Sequence, residues 1–377
     1  MTYKQVVHIA IIILTVTSIT CNKDDNLMAQ GISCNYRFTI ESENIITQDF
    51  PPDCPTETSQ NNGTYYRYHS PVFNPNNPSQ IAYVRRNMLN SNSDGEALVL
   101  YTFDMCSGRT NVVQKDSLMS FSIDWGKNDW IVYRKWYENI NKIRPDGTQD
   151  NKLVTTPFAF NLPNHLNIWN GSGTQLAWIN GDLIYSYSGD KICGFTIVDT
   201  NGMATDTIRE LCRLVPSGFP INIPNINMNP IDAGNWAWSK DDRKISCSAQ
   251  AYVDYVYVYG LFYYDFTLDE LVFVDNLSAQ TWYGEVTDTD WMPDSQRLVW
   301  STAKSIGYKD IHTGERKIIL TAEGNHTYKS IDVSPDGKTI VVERINRVVV
   351  DGCTKIEHAL YLVNSDGTDE RRILLPE

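Results

Sequence analysis

Ile331-Asp332-Val333-Ser334-Pro335-Asp336-Gly337-Lys338, followed by Thr339-Ile340-Val341-Val342, reads as two extended apolar runs joined by a turn. Proline presets φ, aspartate bonds its own backbone, and glycine accepts a positive φ, so the runs on either side are predicted to pair as a hairpin. The pattern recurs along the chain. Trp291-Met292-Pro293-Asp294-Ser295 leads to Arg297-Leu298-Val299-Trp300, and Trp238-Ser239-Lys240-Asp241-Asp242 leads to Arg243-Lys244-Ile245. Trp169-Asn170-Gly171-Ser172-Gly173, Trp125-Gly126-Lys127-Asn128-Asp129 and Phe73-Asn74-Pro75-Asn76 complete a set of six.

Six such turns, about 40 to 70 residues apart, mark an array of small sheets, none able to bury its faces alone. The second half of each unit adds another hairpin. His358-Ala359-Leu360-Tyr361-Leu362-Val363-Asn364-Ser365-Asp366-Gly367 followed by Arg371-Arg372-Ile373-Leu374 reads as strand, turn, strand. The stretches Asn139 to Val154 and Ser305 to Ile319 repeat it. Four short strands per unit make a blade, so the expected fold is all-β, a six-bladed β-propeller of four-stranded antiparallel blades.

Val333-Ser334-Pro335-Asp336-Gly337-Lys338, then an apolar strand, then apolar-Tyr-apolar ahead of Asp-Gly, then Arg-Arg-Ile-Leu, with an aromatic ahead of the other five turns, resembles the TolB-like, WD-repeat-like β-propeller family from about Ser70 to the C-terminus. The resemblance implies the fold. Function is left open, because such propellers host binding, scaffolding and catalytic proteins alike.

The N-terminus carries Lys4, then the apolar run Val6 to Leu14, then a short polar stretch ending in Cys21. That run is too short to span a bilayer and suits the core of a signal peptide. Ser18-Ile19-Thr20-Cys21 resembles a lipobox, which implies lipidation of Cys21, and Asn22-Lys23-Asp24-Asp25-Asn26 resembles a surface-export tag of Gram-negative lipoproteins. The expected organisation is a signal peptide over 1–20, a lipidated cysteine and acidic tether over 21–35, a leader over 36–69 that packs on or closes the ring, and the propeller over 70–377. The expected location is the outer membrane, lipid-anchored and facing the cell exterior, with the membrane touched only through the anchor.

Charge and cysteines fit an exported body. The chain of 377 residues has 45 acidic against 32 basic side chains, and losing Lys4 with the signal takes the net charge from −13 to −14. Nucleic acid is thereby an unsuitable partner, since phosphate contacts need clustered Lys and Arg. Eight cysteines lose Cys21 to lipid, and the odd remainder of seven leaves at least one free thiol if the others pair. Cys193 with Cys212, and Cys34 with Cys54, are candidate pairs. No Cys-x-x-Cys is present, which argues against a structural zinc site.

A propeller repeat also assigns faces. The loops entering each innermost strand and those joining second to third strands lie on one side of the disc, and the Pro-Asp-Gly turns lie on the other. The first side collects the candidate ligand-binding residues Arg134, Trp136, Tyr137, Trp282, Tyr283 and Arg344, where loop aromatics can stack on a sugar or hold a peptide. Trp125, Trp169, Trp238 and Trp291 hold the repeated inner-strand position and are read as core. His69, His165 and His326 precede three inner strands and form a candidate metal set, because in the pectin-cleaving lyases of this propeller type channel histidines hold a divalent metal. No other cofactor is expected. No Gly-x-Ser-x-Gly elbow occurs, and Glu285, Asp288, Asp290 and Glu343 are the carboxylates nearest strand ends. The expectation is a cell-surface propeller with a monomeric body that binds a glycan or protein partner. The alternatives are a polysaccharide lyase or hydrolase working in the channel and a structural part of an envelope complex.

Overall fold

The computed structural model describes residues 66–87, 98–135, 139–155, 167–179, 195–208, 236–253, 256–277, 286–350 and 353–375. Blade 1 comprises β1 (Tyr66–Asn74), β2 (Asn77–Asn87), β3 (Leu98–Asp104) and the first part of β4 (Arg109–Trp125). The far part of β4 is the innermost strand of blade 2, followed by β5 (Ile131–Lys135), β6 (Asn139–Ile143) and β7 (Asn151–Thr155). Blade 3 holds β8 (Asn167–Trp169), β9 (Gln175–Ile179), β10 (Phe195–Asp199) and β11 (Ala204–Ile208). Blade 4 holds β12 (Ala237–Trp238), β13 (Lys244–Val253), β14 (Val256–Asp265) and β15 (Glu270–Asn276). Blade 5 holds β16 (Val286–Trp291), β17 (Arg297–Thr302), β18 (Ser305–Asp310) and β19 (Arg316–Thr321). Blade 6 closes the described chain with β20 (His326–Val333), β21 (Thr339–Val350), β22 (Cys353–Asn364) and β23 (Arg371–Arg372). Neighbouring strands within each blade pair antiparallel, giving six blades of four strands. β1 begins at Tyr66, so the last four residues assigned to the leader from sequence belong to the innermost strand of blade 1. The rest of the leader, Cys21 and the signal segment lie outside the described residues.

The repeated turn explains its own variation. Its fourth residue takes a positive φ in blades 2 to 6: Asp129 (62°), Gly173 (72°), Asp242 (64°), Ser295 (55°) and Gly337 (71°). That residue's N–H bonds the carbonyl three positions earlier in each case. The left-handed residue redirects the chain into the next strand, where a carbonyl accepts the N–H of the turn's first residue, and Gly, Asp and Ser occupy the position.

The core lies between blades rather than within them. Trp125, Trp169, Trp238 and Trp291 are all buried. Phe73, Tyr83 and Phe103 of blade 1 meet Val341, Leu360 and Leu362 of blade 6 in one cluster, and Val299 and Ile306 of blade 5 meet Ile331 and Val342 of blade 6 in another. Carboxylates on innermost strands add a second link. Asp124 accepts the N–H of Trp169 in the next blade (2.6 Å), Asp290 that of Val333 (2.7 Å) and Asp332 that of Phe73 (2.6 Å). The Asp332 bond joins the last blade to the first. Among the described residues no strand is exchanged across that junction, which is held by side chains.

Candidate functional site

Aligning the blades by register exposes a departure from the repeat. Asp332 pairs with Val341 and Asp124 with Val132, so two residues further along the second strand stand Glu343 in blade 6 and Arg134 in blade 2. The same position holds Val84, Ile179, Ser248 and Ser301 in blades 1, 3, 4 and 5. Two charged side chains thus flank blade 1, Arg134 next to the end of β5 away from the turn and Glu343 part-way along the longer β21. Both are buried. Burial of that kind is costly unless the group is paired and hydrogen-bonded.

Glu343 is fully buried and receives two imidazoles. His69 Nδ1 stands 2.9 Å and His358 Nδ1 2.8 Å from the same Oε1, and the Ser70 N–H reaches Oε2 at 3.3 Å. β1 supplies His69 at a bulge between His69 and Val72, where Ser70 adopts a positive φ of 47°. β22 supplies His358 from blade 6. Burial alone would raise the Glu343 pKa, but the hydrogen bonds from His358 and His69 outweigh it and hold the carboxyl well below its usual range. Burial lowers the His69 pKa against the pull of Glu343, so His69 is neutral and donates Nδ1–H to the carboxylate. Its Nε2 is buried with no partner. The His69 ring lies 4.2 Å from that of Phe121 and 4.8 Å from that of His358, and Lys329 Nζ sits over Phe121 at 5.8 Å.

Of the two sequence-grouped histidines that fall among the described residues, His69 belongs to this cluster and His326 does not. His326 Nε2 stands 3.4 Å from the Tyr328 hydroxyl, and burial, with Arg344 and Lys304 nearby, lowers its pKa to about 4. His165 lies outside the described residues, as do Trp136, Tyr137, Trp282 and Tyr283. Arg344 is engaged within its own blade, donating to Asn346 (2.8 Å) and Glu370 (3.1 Å) and lying over the Tyr361 ring. Arg134 is buried on β5, which lowers its pKa. The partners of His69 were hidden because they come from strands 274 and 289 residues away in sequence. The one available signal was a glutamate ending the apolar run Thr339 to Val342.

A second polar group lines the inner wall. Lys240, from the blade 4 turn, reaches Asp290 Oδ1 at 3.3 Å and keeps 35 % of its side-chain surface accessible. Burial would lower its pKa, yet the charges of Asp290, Asp332 and Asp124 together raise it. Burial raises Asp124 to about 6 despite its backbone hydrogen bonds, and raises Asp332 well above its ordinary value, reinforced by the Asp290 charge. Asp288 accepts the N–H groups of Thr289 and Ile331. Asp288 and Asp290 are therefore occupied as links between blades 5 and 6.

No protein-family model and no curated protein sequence matches the chain. Solved structures do. TolB from Acinetobacter baumannii aligns with a TM-score of 0.50 at 12 % identity, over 86 % of this chain and 66 % of that one, so the chain spans slightly under two thirds of TolB's length. An oligogalacturonate lyase in complex with manganese aligns with a TM-score of 0.51 at 14 % identity, over 82 % and 78 % of the two chains. The β-propeller domain of the Trilobed protease from Pyrococcus furiosus, described as having an open velcro topology, aligns with a TM-score of 0.50 at 12 % identity, over 82 % and 97 %. At these identities the likeness concerns fold. By its fold, this chain is a TolB-like six-bladed β-propeller.

Proposed function

We propose that this protein is an exported, lipid-anchored binding propeller that engages a glycan or protein partner through the face opposite its Pro-Asp-Gly turns, centred on blades 6, 1 and 2. The observation that carries the reading is the placement of Glu343 and Arg134, buried charges at one repeat position on either side of blade 1. Packing does not require them, since the other blades fill that position with Val, Ile or Ser. Arg86 and Lys329 extend the polar region beside Phe121. Export is supported by Cys106, which is disulfide-bonded, because disulfides persist in oxidising compartments.

A glycan array probed with the soluble body, beside Arg86→Glu and Lys329→Glu, tests the reading. Binding by the wild type that is lost in either variant, at unchanged melting temperature, supports a glycan site on this face. Absence of binding to every glycan, followed by no cross-linked partner on intact cells, overturns it. Anchoring is tested by palmitate incorporation, expected in the wild type and absent in Cys21→Ala.

The second reading, a polysaccharide lyase or hydrolase, is favoured by the imidazole–carboxylate cluster of His69, Glu343 and His358 and by the fold shared with an oligogalacturonate lyase. Release of unsaturated or reducing ends from polyuronate, lost in His358→Ala, would favour it over binding alone.

A further inference from the structure

We propose that His69, Glu343 and His358 form a binding site for one divalent first-row transition ion, placed between the first and last blades. The inference shares Glu343 with the binding reading above and is tested without a glycan or protein partner, so either can fail alone. It differs from the histidine set grouped from sequence, sharing His69 alone.

The donors are grouped. One ligand atom from each of the three residues lies within 4.8 Å of the other two, and no other such group occurs among the described residues. The two N···O separations, 2.9 and 2.8 Å, are close to the edge of about 3.0 Å between adjacent ligands on an ion with bonds of about 2.1 Å. Two imidazoles and one carboxylate select the ion class. Magnesium and calcium prefer oxygen donors, whereas imidazole with a carboxylate suits manganese, iron, cobalt or zinc.

The proton count balances. Coordination through Nδ1 requires each Nδ1–H proton to move to Nε2 of its own ring, the ordinary tautomer exchange of a neutral imidazole, so two imidazoles and a carboxylate can take up the ion without releasing a proton. At His69 that shift changes an unpartnered acceptor into an unpartnered donor, because Nε2 has no partner to lose. Three protein donors leave further coordination positions for water or a ligand.

Position gives the site a consequence beyond occupancy. His69 comes from β1 of blade 1, and Glu343 and His358 come from β21 and β22 of blade 6. A bound ion would therefore clamp the ring where no strand is exchanged among the described residues, and unfolding would release it.

The test uses the folded soluble body, stripped with chelator and offered Zn²⁺, Mn²⁺ or Co²⁺ in turn. We expect one equivalent retained after dialysis for at least one ion, a melting temperature raised by several degrees, and visible ligand-field bands with Co²⁺. His358→Ala and Glu343→Gln should weaken retention tenfold or more, and His326→Ala should leave it unchanged. Failure of the folded wild type to retain any ion, or undiminished retention in folded His358→Ala, overturns the proposal. Should the variants fail to fold, NMR of the Co²⁺-loaded wild type decides: two paramagnetically shifted imidazole spin systems support the site, and their absence overturns it.

Discussion

Single residues in the turns carry more of this fold than their size suggests. Gly202 and Gly367, in the turns between third and fourth strands, have φ of 84° and 92°, and a Cβ at either would collide with a carbonyl oxygen of the preceding blade, that of Leu153 or Ile319. Gly314 holds the equivalent turn in blade 5 with φ 76° and open space around it. Alanine at any of the three pays the left-handed cost of about 1 kcal/mol. Gly202→Ala and Gly367→Ala add an overpacking cost of about 1–3 kcal/mol. Urea denaturation should therefore rank Gly314→Ala as the mildest of the three. His326 makes a prediction of a different kind. Its folded pKa, about 4, lies below the unfolded value of 6.5, so the neutral ring stabilises the fold above pH 6.5 and that contribution is lost as pH falls through 4. Between pH 7 and pH 4 the wild type should lose about 2–3 kcal/mol more stability than His326→Gln. Parallel pH dependence of the two proteins would show that His326 does not titrate as its surroundings dictate.

At the scale of strands and blades, the repeated aromatic is the principal packing unit. Trp291 is fully buried and its Nε1–H donates to the Ala237 carbonyl of the preceding blade at 3.1 Å. Trp291→Ala should cost about 3–5 kcal/mol in chemical denaturation, through lost apolar contacts and one freed carbonyl. A cost below about 1 kcal/mol would mean that neighbouring blades repack around the gap. The identity of these tryptophans as core was legible from the chain, because they recur at one offset before four of the six turns. Their orphaned indole nitrogens were not: Trp169 and Trp238 are buried without an Nε1 partner, whereas Trp125 and Trp291 find one. That difference depends on which carbonyl or carboxylate the adjoining turn presents.

For the molecule as a whole, the inner wall couples stability to pH. Asp124, Asp290 and Asp332 converge from three blades on Lys240. Lys240→Met should destabilise the ring by about 1–3 kcal/mol at pH 8, less than a fully buried pair because a third of the lysine side chain remains accessible. Asp124 has a folded value of about 6 against 3.8 unfolded, and Asp332 is raised too, so their favourable contribution is complete at low pH and is lost as pH rises through 6. The deficit of Lys240→Met should accordingly shrink as pH falls from 8 to 5. Melting curves of both proteins across that range provide the check, and a deficit independent of pH would separate Lys240 from the carboxylates.

The sequence by itself determined the propeller, its six units and the face on which each turn lies. Those features rest on local chemistry repeated in register: proline, aspartate and glycine at turn positions, an aromatic ahead of five of the six turns, and alternating apolar strands. Only the tertiary structure decided which polar residues meet. His69 precedes Glu343 by 274 positions, and their contact exists because the ring brings its last blade against its first. Arg134 and Glu343 share a repeat position that becomes visible when strand register is known, and Lys240 finds its three carboxylates by reaching the inner wall. Strand periodicity is a property of neighbours in the chain, whereas a site at a blade junction is a property of closure, and closure leaves no local trace.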